Sequence, residues 1–412
     1  MNLGLASLPD VCDVLVVGAG PAGCAAAMLL ARGGRDVVLV DAQAFPRDKV
    51  CGDGLIPDAH HALRKLGVLD EVMALAQPSA RVGCIGPRGG RIDVPGTLAV
   101  LPRKELDLIL CRAAIAAGAR MFAPLRFTAP IEGEGDDRGA VVGARLQQGD
   151  ATREVRARWV VLASGAVPQA LIAAGMSERT TPSGVALRGY VKNDAMVGKI
   201  RTLEFVWNRA VAPGYGWIFP CRDGVFNIGV GVSQSHNARG ADDKLAKREL
   251  NLREVMDAFK RIYPPARELM DGGTLLGPMK GAPLRCTLEG ARFSRPGLIV
   301  TGEAAGSTYS FTGEGIGKAL ETGMLAAEAM NGGGSDAAVR AAYEARLKAL
   351  KPRFDLYERA NSVNRHPWLV DLLIWRAKKN AGLLRRMSGV LDETSNPGNL
   401  VSLKGFHRLF ID

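Results

Sequence analysis

Apolar residues fall along this chain in two rhythms. Asp13-Val-Leu-Val-Val17 and Asp36-Val-Val-Leu-Val40 are short unbroken runs, the signature of strands buried on both faces. Between them Cys24–Arg32 (CAAAMLLAR) consists of strong helix formers and stops at Gly33-Gly34. Strand, helix and strand in succession make a βαβ unit, which predicts a parallel, doubly wound sheet. Val155–Ala163 and Leu298–Thr301 read as further buried strands, and helices are expected near 58–76, 103–118 and 313–331. From 180 to 235 the rhythm changes to alternation. Val185–Val191, Thr202–Trp207, Gly216–Phe219 and Val225–Val232 are expected to form an antiparallel sheet. Gly332-Gly-Gly-Ser335 reads as a linker, and the remainder as helix. The fold class is therefore mixed, α/β with α+β: a Rossmann-like domain, an inserted antiparallel sheet and a helical C-terminal region.

Composition narrows the partners. The 412 residues are 47% hydrophobic and 23% charged, which excludes a disordered chain. Net charge is +11, and from Arg340 to Asp412 there are 14 Lys/Arg against 7 Asp/Glu, so most of the excess sits in the last fifth. There it is interleaved with apolar residues rather than run together, so no nucleic-acid partner is expected. The seven cysteines stand singly, without C-x-x-C, which argues against a disulfide framework or a zinc site and fits a reducing cytoplasm. No Lys or Arg precedes the first apolar stretch, so a signal peptide is not expected. Gly18, Gly20, Pro21 and Gly23 interrupt Val14–Ala31, so it is not read as a membrane span.

The chemistry begins at Gly18-Ala-Gly20-Pro-Ala-Gly23, a G-x-G-x-x-G that follows a strand, opens a helix, and has Asp41 at the end of the next strand. In that context it is a dinucleotide fingerprint. The first glycine makes the tight turn, the second lets the backbone approach a pyrophosphate, and the third lets helix and strand pack. The fingerprint does not choose between FAD and NAD.

Three later segments favour FAD. Leu101-Pro-Arg103-Lys-Glu-Leu-Asp107 resembles the R-x-x-L-D helix start of flavin hydroxylases. Thr301-Gly302-Glu303-Ala-Ala-Gly306 resembles their G-D-A-A-G, and Thr312-Gly313-Glu-Gly315-Ile316 opens a helix. The chain thus resembles the para-hydroxybenzoate hydroxylase fold. Within it, the geranylgeranyl reductase family, which includes menaquinone side-chain reductases, is most similar. Phe45-Pro-Arg-Asp-Lys49-Val-Cys51-Gly52-Asp-Gly54 resembles that family's P-x-x-K-x-C-G-x-G loop, and Tyr215-Gly-Trp217-Ile-Phe219-Pro220 its Y-x-W-x-F-P motif. The likeness runs from about residue 10 to 330. It implies a discontinuous FAD-binding domain at 10–180 and 280–332, a substrate domain at 181–279 and a helical region at 333–412.

What the resemblance implies for residues is specific. Gly18, Gly20, Ala22, Gly23 and Asp41 would serve the adenosine and pyrophosphate, and Arg103 the nucleotide half. Gly302 and Glu303 would reach the ribityl or pyrophosphate region. Gly313, Gly315 and Ile316 would lie beside flavin N1 and O2, and Cys51, Gly52 and Gly54 against the ring. Tyr215, Trp217 and Phe219 would line the substrate cavity. The implied reaction is reduction of isoprenoid C=C bonds by hydride from flavin N5, with NAD(P)H or another external donor recharging the flavin. The alternative on the same scaffold is an aromatic or polyketide monooxygenase. Glu303, Ser310 and Ser164 stand where the family has Asp, Pro and Asp, and only one dinucleotide fingerprint is present.

Other residues carry two readings. Cys51, near Arg47 and Lys49, reads either as a low-pKa thiol that gives a proton or as a small residue packed on the ring. Cys24, Cys84, Cys111, Cys221 and Cys286 read as core. His60 and His61 are expected on an exposed helix surface, and no His/Asp/Glu cluster has metal spacing. Arg346 to Met387 interleaves basic residues with Trp368, Leu369, Leu372, Leu373, Ile374, Trp375, Leu383 and Leu384. It reads either as a peripheral contact with the inner membrane face or as a helix packed on the body with a basic outer face.

Overall fold

The βαβ unit forms where the apolar runs place it. In a computed structural model, which describes residues 3–233, 238–239, 245–246 and 250–396, Val11–Val17 pairs in parallel with Val37–Val40 across the helix Pro21–Arg32. Ala151–Leu162 pairs in parallel on the other side of Val11–Val17, and Leu298–Val300 beyond it. Arg120–Phe122 extends the opposite edge. These strands, with 126–132, 141–148 and 294–295, make an eight-stranded sheet. Helices Pro21–Arg32, Arg103–Ala116 and Ile316–Asn331 share one core with one face of it, through Met28, Leu110 and Leu320.

The second sheet has nine strands, all antiparallel pairs except one. Gly184–Lys192, Leu203–Val206, Gly214–Pro220 and Val225–Ser233 lie close to their expected positions. Gln77–Ile85 and Arg91–Val100 also belong to it, the former pairing in parallel with Leu203–Val206. These two strands were not foreseen. Pro78, Pro95, Gly83 and Gly96 interrupt their alternation, and a register shift falls between Ser79 and Arg81. A boundary at residue 180 therefore does not separate the two sheets. The helix expected at 58–76 is two, Pro57–Leu66 and Leu69–Leu75, because Gly67 adopts a left-handed conformation between them.

The C-terminal helices Trp368–Ala377 and Ala381–Leu391 lay Leu369, Val370, Ile374 and Leu383 into the core under the second sheet. Trp368 and Trp375 stay outside, 52% and 46% exposed. Residues from 397 onward of the expected C-terminal region lie outside the described residues. Among the described residues no helix is long and apolar enough to cross a membrane.

Candidate active site

The two sheets face each other across a cavity of about 600 Å³. One end is built from the glycine turn. Gly18 has φ +104°, and a Cβ there would stand 2.3 Å from the Ala163 carbonyl oxygen. A Cβ on Gly23 would stand 1.8 Å from the Gly18 carbonyl oxygen. The chain itself demands glycine at both positions. Gly20 differs: its φ is −81°, and the nearest atoms to an added Cβ are guanidinium nitrogens of Arg103 and Arg47 at 3.7 Å. What Gly20 keeps clear is space in the cavity.

Two helix N-termini open on that space. Pro21–Arg32 and Ile316–Asn331 begin at Gly20 and Gly315 without a side-chain cap. Their free N–H groups and partial positive charge favour an anionic ligand. Gly302, in the turn after the strand Leu298–Val300, packs against Ala22, where a Cβ would come within 2.5 Å of the alanine methyl.

The charges at this end are paired. Asp41 accepts from the Ala19 and Gln43 amides, at 2.9 and 3.0 Å, and from Arg47 Nη2 at 3.2 Å. Arg47 also reaches Asp107, 2.9 Å away, and Asp107 takes a bidentate bond from Arg103 at 2.7 and 2.8 Å. Burial opposes the Arg103 charge, but Asp107 overrides it and holds the guanidinium well above its usual range.

The other end of the cavity is aromatic. Alternate residues Tyr215, Trp217 and Phe219 share a face of one strand, and Phe205 of the neighbouring strand and Trp207 just past its end join them. Phe205 meets Tyr215 and Phe219 edge-on, with centroids 5.2 and 5.1 Å apart. The loop Cys51–Gly54 lies against this wall: a Cβ on Gly52 would sit 3.1 Å from the Phe219 ring. Tyr215 donates to the Thr312 carbonyl at 2.5 Å, which ties the wall to the loop carrying Gly313 and Gly315.

Behind the loop sits a buried network the motifs did not reveal. Asp53, fully buried and at φ +64°, accepts from the Arg103 amide at 3.2 Å, from Asn227 Nδ2 at 2.7 Å and from the Tyr190 hydroxyl. Asn227 also donates to the Cys51 carbonyl at 2.8 Å and accepts from the Trp217 indole at 2.9 Å. Arg188 lies over the Tyr190 ring at 4.1 Å and pairs with Asp48 at 2.7 Å. Burial pushes Asp53 up to about 6 despite these donors. Nearby, burial pushes Asp58 up to about 7; neither of its carboxylate oxygens has a hydrogen-bond partner among the described residues, and Lys318 Nζ is 3.8 Å away.

Every residue singled out for the cofactor or substrate lines the cavity or packs immediately behind it. Gly18, Gly20, Ala22, Asp41, Cys51, Gly52, Gly54 and Arg103 line it, as do Tyr215, Trp217, Phe219, Glu303, Gly313, Gly315 and Ile316. Gly23 and Gly302 stand behind the turn. Two expectations change. Cys51 does not have a lowered pKa: burial raises it, and Asp53 adds to the effect beyond what Arg103 and Lys49 offset. His60 is buried, 6% exposed, with a pKa lowered by burial, because the helix Pro57–Leu66 turns that face inward; His61 is exposed. Of the cysteines read as core, Cys84 is only half-buried. Phe205, Asp53, Tyr190, Asn227 and Arg47 were missed. The alternation of Phe205 and Trp207 was a usable signal for the wall; Arg47 and Asp53 lie within the Phe45–Gly54 loop and Asn227 in the segment Asn227–Gly231 that follows the aromatic strand, but nothing local showed that Asp53, Asn227 and Tyr190 would meet.

Comparison with known proteins gives consistent matches. Residues 11–244 match the model of the FAD-binding domain family. The menaquinone reductase of Mycolicibacterium smegmatis is 36% identical over 337 residues, covering 78% of this chain and 77% of that protein. The digeranylgeranylglycerophospholipid reductase 2 of Methanopyrus kandleri is 29% identical over 77% of this chain and 76% of its own. Among solved structures, a geranylgeranyl bacteriochlorophyll reductase-like protein of Thermoplasma acidophilum superposes with TM-score 0.71 over 98% of this chain and 96% of that one, at 21% identity.

Proposed function

The chain belongs to the FAD-binding flavoproteins of the geranylgeranyl reductase family, and on that premise we propose that it reduces carbon–carbon double bonds of an isoprenoid chain. The observation that carries the reading is the meeting of an uncapped dinucleotide cradle with an aromatic wall in one cavity.

The residues present fit FAD. Gly20 keeps room that its own backbone does not require, two helix N-termini offer unpaired amides, and Asp41 stands at the end of the second strand. Bound FAD supplies the hydride, and an external donor such as NAD(P)H recharges it. Ala22 and the Gly18–Gly23 turn would hold the pyrophosphate, and Asp41 and Arg103 the nucleotide half. Glu303 would stand toward the ribityl chain. The amides of Gly315 and Ile316 would favour negative charge on the ring's N1 side. Phe205, Tyr215, Trp217 and Phe219 would hold an apolar chain and exclude water, which an unactivated alkene requires. The Cys51 thiol, kept protonated by burial, would hold the proton at Sγ that completes the reduction. Exposed Trp368 and Trp375, beside Arg376 and Lys378, support a peripheral seat on the cytoplasmic membrane face, where such substrates dissolve.

Anaerobic mixing of chemically reduced enzyme with a prenylated substrate tests the reading. Flavin reoxidation with loss of one double bond is expected, and Cys51→Ala should slow it by about a hundredfold, within the usual range for a lost proton donor. Reoxidation only on admission of O2, with a hydroxylated product, would instead establish the monooxygenase. Cosedimentation with anionic vesicles, lost in a Trp368→Ala/Trp375→Ala variant, tests the membrane seat.

A further inference from the structure

The aromatic wall is one stretch of a longer trough that runs across the strands of the second sheet. Gly184–Lys192, Val225–Ser233, Gly214–Pro220, Leu203–Val206 and Gln77–Ile85 lie side by side in that order. Their registers put Ala186 opposite Gly231, Gly231 opposite Tyr215, Trp217 opposite Phe205 and Leu203 opposite Val82. Directly opposite residues share a face, so these positions form one row, and all of them line the main cavity. Neighbouring strands stand about 4.8 Å apart, so the row is about 19 Å long. A trough of that length and composition fits an extended apolar chain.

The two ends of the trough differ. At the Ala186 end it runs on into a second cavity, of about 350 Å³; Tyr215, Gly231, Leu284 and Gly313 line both. At the Val82 end it stops against a side chain from the C-terminal helices. Among the described residues lining the main cavity, Leu391 alone comes from beyond residue 320. Leu391 ends the helix Ala381–Leu391 and packs on the apolar cluster that holds Val82 and Leu203. A Cβ on Gly96 would stand 3.0 Å from its Cδ1, so the glycine leaves Leu391 room to lie on the strand Arg91–Val100.

Leu391 is held from both sides. Ser388, one turn earlier, donates to the Pro95 carbonyl at 2.8 Å. Glu393, two residues later, accepts from the Tyr309 hydroxyl at 2.7 Å, pairs with Lys318 Nζ at 2.8 Å and also meets Arg353. These partners hold Glu393 at φ +56°, a left-handed conformation that a non-glycine residue keeps only where its surroundings fix it. A side chain fixed at both flanks makes a firm stop rather than a yielding one.

We propose that Leu391 sets how long a chain this site accepts: the tip of an extended apolar substrate abuts it, and the rest of the substrate lies back along the row toward the second cavity. The proposal rests on the isoprenoid-reductase reading and adds to it the residue that measures the chain.

Binding separates the two. FAD-loaded, oxidised enzyme is titrated with saturated primary alcohols of increasing length, which bind without being reduced, and the change in flavin absorbance gives the Kd. Wild-type affinity should rise with length and fall beyond a cut-off. Leu391→Ala removes the stop and should move the cut-off to longer chains. The Kd of the first excluded alcohol should improve about tenfold, as burial of about two further methylenes gives. Leu391→Phe fills the end instead of opening it and should move the cut-off to shorter chains; it serves if Leu391→Ala lowers the melting temperature. In turnover, the ratio of kcat/KM for geranylgeraniol to that for geraniol should shift in the same two directions. No cut-off in the wild type, or one that stays put in both variants, overturns the proposal while prenyl reduction stands. A cut-off that moves with Leu391 in an enzyme that reduces no prenyl chain sustains the stop and defeats the reductase reading.

Discussion

Two regions beside the main cavity bury acidic groups equally well and treat them oppositely. At the glycine turn, Asp41 and Asp107 are met by Arg47, Arg103 and backbone amides within hydrogen-bond distance. Behind the Cys51–Gly54 loop, Asp53 is held only by neutral donors, and at the start of the helix Ile316–Asn331 burial is the dominant influence on Asp58 and Glu314, so all three carboxyls are pushed upward. What differs is the set of partners: guanidinium and amide donors meet Asp41 and Asp107, whereas burial outweighs the neutral donors on Asp53 and the Lys318 ammonium 3.8 Å from Asp58.

Breaking the first region should have the largest effects, and the glycines divide it. Gly23→Ala drives a methyl into the Gly18 carbonyl and should abolish soluble folded protein. At Gly20 an added Cβ meets nothing closer than 3.7 Å and φ is an allowed −81°, so Gly20→Val should fold with near-native melting yet lose its flavin completely. Visible absorbance per protein and thermal melting read both. A Gly20→Val enzyme retaining stoichiometric FAD would remove the cofactor from this turn.

At the aromatic end, Trp217 is 6% exposed, and its ring occupies the space where a Cβ on Gly229 would stand, 2.1 Å away. Trp217→Ala should lower stability by about 3–5 kcal/mol, as truncation of a buried aromatic does, and should cripple turnover of long isoprenoids while FAD stays bound. Denaturant titration and single-turnover mixing check these together; wild-type turnover in the variant would take the substrate away from this wall.

The raised carboxyls sharpen the comparison through pH. Asp58 has a folded pKa of about 7 against a usual 3.8, so the folded state holds a proton that the unfolded chain has released. Stability should then fall between about pH 4 and 7 and level off above, by a few kcal/mol in all. Glu321, Lys318 and Glu393 face the same carboxyl and set the midpoint. Asp58→Asn should flatten that slope in melting curves taken at pH 5 and pH 8. An unchanged slope would mean that Lys318 keeps Asp58 ionised.

The smallest effect concerns Cys51. With its thiol pKa raised by burial, alkylation by iodoacetamide at pH 7.5 should be slower than for free cysteine, as peptide mass mapping would show. Faster alkylation would restore the low-pKa thiol that its basic neighbours suggest.

The sequence by itself determined the βαβ unit, the cradle and the aromatic strand. Each is a local pattern: apolar runs, glycines at fixed spacing, aromatics at alternate positions, whose meaning is set by backbone sterics and side-chain direction over a few residues. Only the tertiary structure decided which strands complete the second sheet and which polar groups meet. Gln77–Ile85 pairs with Leu203–Val206 through a register no local signal specifies. Asp53 finds Asn227 174 positions away, and Trp207 orients Asn364 across 157. A periodic pattern says which face of an element is buried, and His60 shows that it does not always say even that. The partner that meets the face is chosen by packing of the whole chain, and that choice buried Cys51 beside Asp53 and raised its pKa, where Arg47 and Lys49 nearby in sequence suggest the reverse.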